Sequence, residues 1–220
     1  MMLFRSIVDM REPGALITRL RRRRIRQFLG LLERVPRPLH ILDVGGTQFF
    51  WDMLGVTPDA SLQITLLNTV PYPCDRPYFT QLVGDGCAMP QFADGAFDVV
   101  FSNSVIEHVG SFAAQQRMAA EIQRVGRRFF VQTPNYGFPL EPHFFFPGFH
   151  YLPIEARTWL VQRFALGWYP RMPDHAAARR EVSAIRLLRR HELQALFPAA
   201  TIADERAGPL TVSLIALGGW

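Results

Sequence analysis

The spacing of hydrophobic positions changes twice along the chain. Over residues 13–35, at 100° per residue, Leu16, Ile17, Leu20, Ile25, Phe28, Leu31, Leu32 and Val35 share one half of a helical wheel. Arg19, Arg22, Arg23 and Arg26 occupy the other half, while Arg21 and Arg24 intrude on the apolar side. Pro13 and Pro36 bracket this predicted helix. Short apolar runs follow: LHILDVGG (39–46), SLQITLLN (61–68), YFTQLVGD (78–85), AFDVVFSN (96–103) and RRFFVQT (127–133). Each reads as a buried strand, and SFAAQQRMAAEIQRVG (111–126) between the last two reads as an amphipathic helix. Such alternation implies right-handed crossovers and a parallel sheet with helices on both faces. Beyond residue 153 the pattern predicts helices over 153–164, 174–188 and 189–198. Two strands, ATIADERAG and PLTVSLIALGG, then form an antiparallel hairpin through a Gly-Pro turn. Without repeats or linkers, residues 1–220 are expected to form a single α/β domain. Residues 1–37 would be its arginine-rich helical extension.

Charge adds less than it first suggests. The net charge is +5, but all 24 basic residues are arginine, a pattern that fits codon bias in a GC-rich genome better than selection for phosphate binding. The arginine face of the first helix is therefore expected to be solvated, with docking on an anionic acceptor, RNA or a membrane surface as the sharper alternative. No apolar run reaches spanning length, and MMLFRSIVDMREP lacks the pattern of a secretory leader, so a cytoplasmic location is expected. Cys74 and Cys87 form no metal or redox spacing.

Ligands of open α/β sheets bind beyond the carboxyl ends of the strands. Here those ends read DVGGTQFFW, Asn68, GDG, SNSVIEHV and TPN. ILDVGG, GDGCAMPQFADGAFDVVFSNSVIEHV and the closing ELQALFPAATIADERAGPLTVSLIAL together resemble the class I S-adenosylmethionine-dependent methyltransferases, from about residue 38 onward. The closest likeness is to small bacterial members acting on metabolites, glycans or lipid-linked intermediates. That resemblance implies a Rossmann-like, mostly parallel seven-stranded sheet, S-adenosylmethionine as cofactor, and methyl transfer to a small-molecule, glycan or lipid-linked acceptor, at oxygen. It also implies that Asp43, Gly45 and Gly46 lie against the amino-acid end of the cofactor and that Asn68 contacts the ribose. Asp85, with Gly86 beside it, would meet the adenine amino group, and Ser102 or Asn103 the methionyl side.

The chain departs from the family pattern at two points. Gly45-Gly46-Thr47-Gln48-Phe49 replaces Gly-x-Gly-x-Gly, and Asn68 stands where a ribose-binding acid is usual, giving up a charge-assisted bond. Gly-x-Gly-x-x-Gly is absent after the first strand, which argues against a dinucleotide-dependent dehydrogenase. A methyltransferase acting on RNA through the arginine helix, or a non-catalytic partner subunit with this fold, are the alternative classes.

Ser104 and Glu107 have the spacing of a capping box at a helix start. His108 beside them is either a packing histidine or a group at the transfer site. Asp9, Glu12, His40 and His191 lie away from the strand ends and are expected to be structural or solvated.

The segment TPNYGFPLEPHFFFPGFHYLP (133–153) holds five prolines and seven aromatics. Following the fifth strand, the loop 134–152 is expected to wall the acceptor pocket, or else its Phe residues fill a secondary core beneath it. A hydroxyl acceptor is helped by a general base, for which His108, His143 and His150 qualify. His143 is preferred, in the rigid context EPHF and with Glu141 two residues before it. His143, His150 and Glu141 match no known ligand spacing, so no metal is expected.

Overall fold

In a computed structural model the structure describes residues 16–220, and the side chains from residue 19 onward. The expected helix start at Pro13, Asp9 and Glu12, and the side chains of Leu16 and Ile17, lie outside the described residues. Helix α1 spans Leu16–Leu32, followed by β1 Leu39–Val44, α2 Gln48–Met53, β2 Leu62–Asn68, β3 Phe79–Val83 and β4 Val99–Asn103. A 3-10 turn at Ile106–His108 leads to α3 Phe112–Val125 and β5 Phe129–Pro134. The segment after β5 contains a small hairpin, β6 Leu140–Glu141 and β7 Phe146–Pro147, and a 3-10 turn at Phe149–Tyr151. Helices α4 Ile154–Arg163, α5 His175–Ala184 and α6 Arg190–Leu196 precede strands β8 Thr201–Ala207 and β9 Leu210–Gly218.

The seven-stranded sheet has the order β3-β2-β1-β4-β5-β9-β8. Strands β1 to β5 pair in parallel; β9 runs antiparallel to both β5 and β8. Strand order therefore reverses between β1 and β4, where a doubly wound sheet opens a crevice for ligand. The Rossmann-like architecture and the closing hairpin agree with the expectation.

Both faces of the sheet are covered. On one, Met118 and Ile122 of α3 and Leu193 of α6 pack on Leu42, Val100 and Val131. On the other, Ile25, Phe28 and Leu32 of α1 pack on Ile41, Val99 and Phe130. Phe28 is fully buried, its ring centre 4.4 Å from that of Phe101 and 5.2 Å from that of Phe130. Burying such a ring contributes about 1.5–3 kcal/mol, so α1 is seated on the sheet by its apolar stripe. No helix among the described residues is long and apolar enough to cross a membrane.

Three elements differ from the sequence reading. α2 is short enough that its periodicity is invisible; Thr47 caps it by accepting the Phe50 N–H. The helix expected over 174–188 ends at Ala184, because Arg186 donates its backbone N–H to the Glu107 carbonyl and Leu188 bridges Asn135. The capping box expected at Ser104–Glu107 does not form. Ser104 takes φ 58° and donates its hydroxyl to Gln132 Oε1, and no side chain caps the Ile106–His108 turn. Glu107 is instead fully buried, accepting a bond from Thr133 Oγ1 at 2.9 Å.

Candidate active site at the carboxyl edge of the sheet

Strand β1 delivers Asp43 to the switch point and then turns on two glycines. Gly45 has φ 82°, and a Cβ on it would stand 2.4 Å from Val105 Cγ2. A Cβ on Gly46 would fall 1.7 Å from Asp43 Oδ2, so only glycine lets the backbone pass this carboxylate. Asn68 at the end of β2 donates Nδ2–H to the Gly46 carbonyl at 2.6 Å and fixes the turn from the neighbouring strand. The missing later glycines are thus replaced by a helix start, with Thr47 as cap and the α2 residue Trp51 reaching back. Trp51 Nε1–H donates to Asp43 Oδ2 at 2.7 Å.

A cavity of about 190 Å³ lies here, lined by Asp43, Gly45, Gly46, Thr47, Phe50 and Asn103. Burial pushes the Asp43 carboxyl up to about 7, with the Trp51 bond opposing it. A buried carboxylate beside a glycine turn suits a cationic ammonium, and an aromatic face such as Phe50 suits an apolar or sulfonium group. These residues fit the amino-acid end of S-adenosylmethionine. Ser102 is fully enclosed, its hydroxyl without a partner among the described residues, so Asn103 is the neighbour that lines the cavity. Asp85 is exposed at the far edge, with Oδ1 accepting the Cys87 N–H at 2.8 Å. Gly86 packs under β1, where a Cβ would meet Val44 Cγ1 at 2.8 Å.

Ionised Asp43 is the form that would hold an ammonium. Cofactor affinity should therefore rise about tenfold per pH unit below about pH 6 and level off above pH 7. Calorimetry across that range checks this, with Asp43→Asn expected to flatten the profile; an equally steep profile in the variant would exclude Asp43 as the titrating group.

On the other side of Asn103 lies a buried polar knot. Arg24 donates Nε–H and Nη2–H to the two carboxylate oxygens of Glu205, at 3.0 and 2.6 Å. Its Nη1 donates to Asn103 Oδ1 at 2.6 Å and to Gln132 Oε1 at 2.7 Å. One guanidinium thus ties α1 to the ends of β4, β5 and β8. The arginine that looked misplaced on the apolar side of the helix makes four hydrogen bonds there.

Beyond the knot a second cavity of about 340 Å³ is walled by Leu20, Phe138, Phe145 and Trp168, with His108 and His143 at its edge. The rings of the segment after β5 divide between a cavity wall and a separate core. Phe138 and Phe145 face this cavity, whereas Phe144 and Phe149 pack with Val161, Ala178 and Val182 in a separate core.

His143, His108 and Glu141 come together. Glu141 is buried and accepts the backbone N–H groups of His143 and Phe144 at 2.8 and 2.7 Å, while His143 Nδ1–H donates to its Oε1 at 2.6 Å. That leaves His143 Nε2 aimed at His108 Nε2, 3.1 Å away with the rings nearly perpendicular. Desolvation of its inner edge, then the facing His143, pushes His108 down to about 4. For His143 burial opposes the charge, but Glu141 outweighs it and the pKa rises. Glu107 belongs to the same group, its carboxyl raised to about 7 by burial. Its only sequence signal was an acid next to a histidine at a strand end. His150 is elsewhere: it lines a neighbouring cavity of about 410 Å³ and donates Nε2–H to the Tyr136 carbonyl at 2.9 Å.

Comparison with known proteins bears on the central segment and on the fold. The family described as "Methyltransferase domain" matches residues 50–128. A Mycobacterium tuberculosis protein of uncharacterized function is 36% identical over 62 residues, which is 28% of this chain and 21% of the relative. The match therefore spans about a fifth of that relative's length. Among solved structures, the small RNA methyltransferase HEN1 superposes with TM-score 0.55 at 16% identity, over 90% of this chain and 25% of that one. A Rhodobacter sphaeroides protein named as a zinc-dependent alcohol dehydrogenase gives TM-score 0.55 at 14% identity, over 87% of both chains. At these identities the structural likeness speaks for the fold alone. By its central segment, residues 50–128, the chain matches the methyltransferase-domain family, and its sheet has the Rossmann-like fold of the structures it superposes on.

Proposed function

We propose that the protein moves the methyl group of S-adenosylmethionine to an oxygen of a small-molecule, glycan or lipid-linked acceptor with a substantial apolar body. The observation that carries this reading is the pair of cavities on either side of Asn103 and Arg24. One has a carboxylate and a glycine turn; the other has aromatic walls and a carboxylate-backed histidine. Phe138, Phe145 and Trp168 suit stacking on a sugar or covering an apolar tail.

The bound cofactor supplies an electrophilic methyl on a sulfonium, and the protein's task is mostly to place donor and acceptor in line. His143 and His108 would contact the acceptor oxygen and activate it, with Glu141 as the positioning residue that holds the His143 ring. The histidine pair would take the hydroxyl proton as the acceptor oxygen attacks the methyl group. Incubating the protein with methyl-labelled cofactor and fractionated cell extract should label a neutral or lipid-soluble product. The His143→Ala protein should yield none. Label confined to RNA would overturn this acceptor class.

One observation favours RNA as a second reading: Arg19, Arg22, Arg23 and Arg26 of α1 are exposed on one face. That reading requires RNA binding that weakens steeply with salt.

A further inference from the structure

We propose that Glu107, His108 and His143 form a binding site for one divalent transition-metal ion at the edge of the acceptor cavity. One oxygen of Glu107 and one nitrogen of each histidine all lie within 4.8 Å of one another. The two Nε2 atoms are 3.1 Å apart. Two nitrogens bound at about 2.1 Å to one ion stand about 3.0–3.4 Å apart, so the rings already have a chelating separation. The third ligand is supported independently. Glu107 is fully buried, Oε2 takes the Thr133 hydroxyl, and Oε1 has no partner among the described residues. A buried carboxylate oxygen left open beside two imidazole nitrogens is costly unless a cation or proton meets it.

The surroundings match what metal-bound histidines require. His143 gives its other ring N–H to Glu141, the carboxylate–histidine arrangement that fixes the tautomer and orients the ligating nitrogen. Glu141 is held in turn by two backbone N–H groups. Two imidazoles with one carboxylate favour ions such as manganese, cobalt or zinc over calcium or magnesium. Three protein ligands leave coordination positions open, and His108 and His143 both border the aromatic-walled cavity. With both Nε2 atoms engaged as ligands, the histidines would hold the ion in place of taking the proton themselves, and an acceptor hydroxyl on an open position would be acidified by the ion and lose its proton to solvent. This role in activation rests on the methyltransferase reading; the metal site does not.

The test uses untagged, chelator-treated full-length protein titrated with cobalt(II), followed by visible absorption and calorimetry. The expected result is one ion per chain with ligand-field bands. His108→Asn, His143→Asn and Glu107→Gln should each weaken binding at least about 100-fold, and Glu141→Gln about 10- to 100-fold. His191→Ala, remote from the group, should bind as the unaltered protein does. Absence of stoichiometric binding to the unaltered protein overturns the proposal, whatever the variants do. So does binding that persists unchanged when either histidine is replaced in protein that still melts cooperatively. Cobalt bound as expected by a protein that transfers no methyl group would leave the site standing and remove its role in activation.

Discussion

His143→Ala should lower turnover by about a hundred- to ten-thousand-fold while leaving S-adenosylmethionine affinity within about twofold. The separation of the two effects follows from the layout. His143 lies on the loop between β6 and β7, against His108, whereas the cofactor cavity is built from the ends of β1 and β4 and the start of α2. The His143 side chain is 14% exposed, and its polar partners are Glu141 and His108. Removing its ring takes away the nitrogen proposed to contact the acceptor oxygen without touching Asp43 or Asn103. Glu141→Gln should be intermediate in kcat, because the amide can still accept one ring bond but no longer holds the loop as a carboxylate does. Steady-state kinetics beside calorimetry makes the check. Parallel loss of cofactor binding and of cooperative melting in His143→Ala would mean that the histidine only supports the loop.

A second large effect is expected on stability. Arg24→Met removes one partner of a bidentate pair in which arginine and glutamate are 8% and 6% exposed. The Glu205 carboxylate, Asn103 and Gln132 would then lose their common donor in a closed space. Breaking such a pair from one side costs about 3–5 kcal/mol, or about 10 °C in a chain of this size. The double variant Arg24→Met with Glu205→Leu should recover most of that loss, since a buried ion pair and an apolar replacement of similar volume are nearly equivalent. Thermal melts of the two variants decide the matter. A single variant within about 1 kcal/mol of the unaltered protein would show that water already shields Glu205.

What could be read from the sequence follows from the range of the interactions. The five parallel strands were legible because each is a self-contained apolar run, and the closing hairpin because Gly208-Pro209 marks its turn. The switch-point residues Asp43, Gly45 and Gly46 followed, since strand ends locate them. Arg24 carried a visible signal, a charge on an apolar stripe, but its partner lies 181 residues away and no local pattern names it. Glu107 was misread for the opposite reason. Its local spacing from Ser104 satisfies a capping motif, yet the chain gains more by turning Ser104 to Gln132 and burying the carboxylate under Thr133. His108 and His143 were named singly; their 3.1 Å approach depends on the loop after β5, which Glu141 shapes through three bonds. The cavity proposed for the cofactor is built from neighbouring strand ends, and the one proposed for the acceptor from contacts across many tens of residues.

Calorimetric titration of the unaltered protein with S-adenosylmethionine tests the cofactor site directly. One site per chain is expected, lost when Gly46 is replaced by alanine, because the added Cβ would sit on the Asp43 carboxylate. No detectable binding at millimolar cofactor would contradict it and leave the chain a methyltransferase fold without the chemistry.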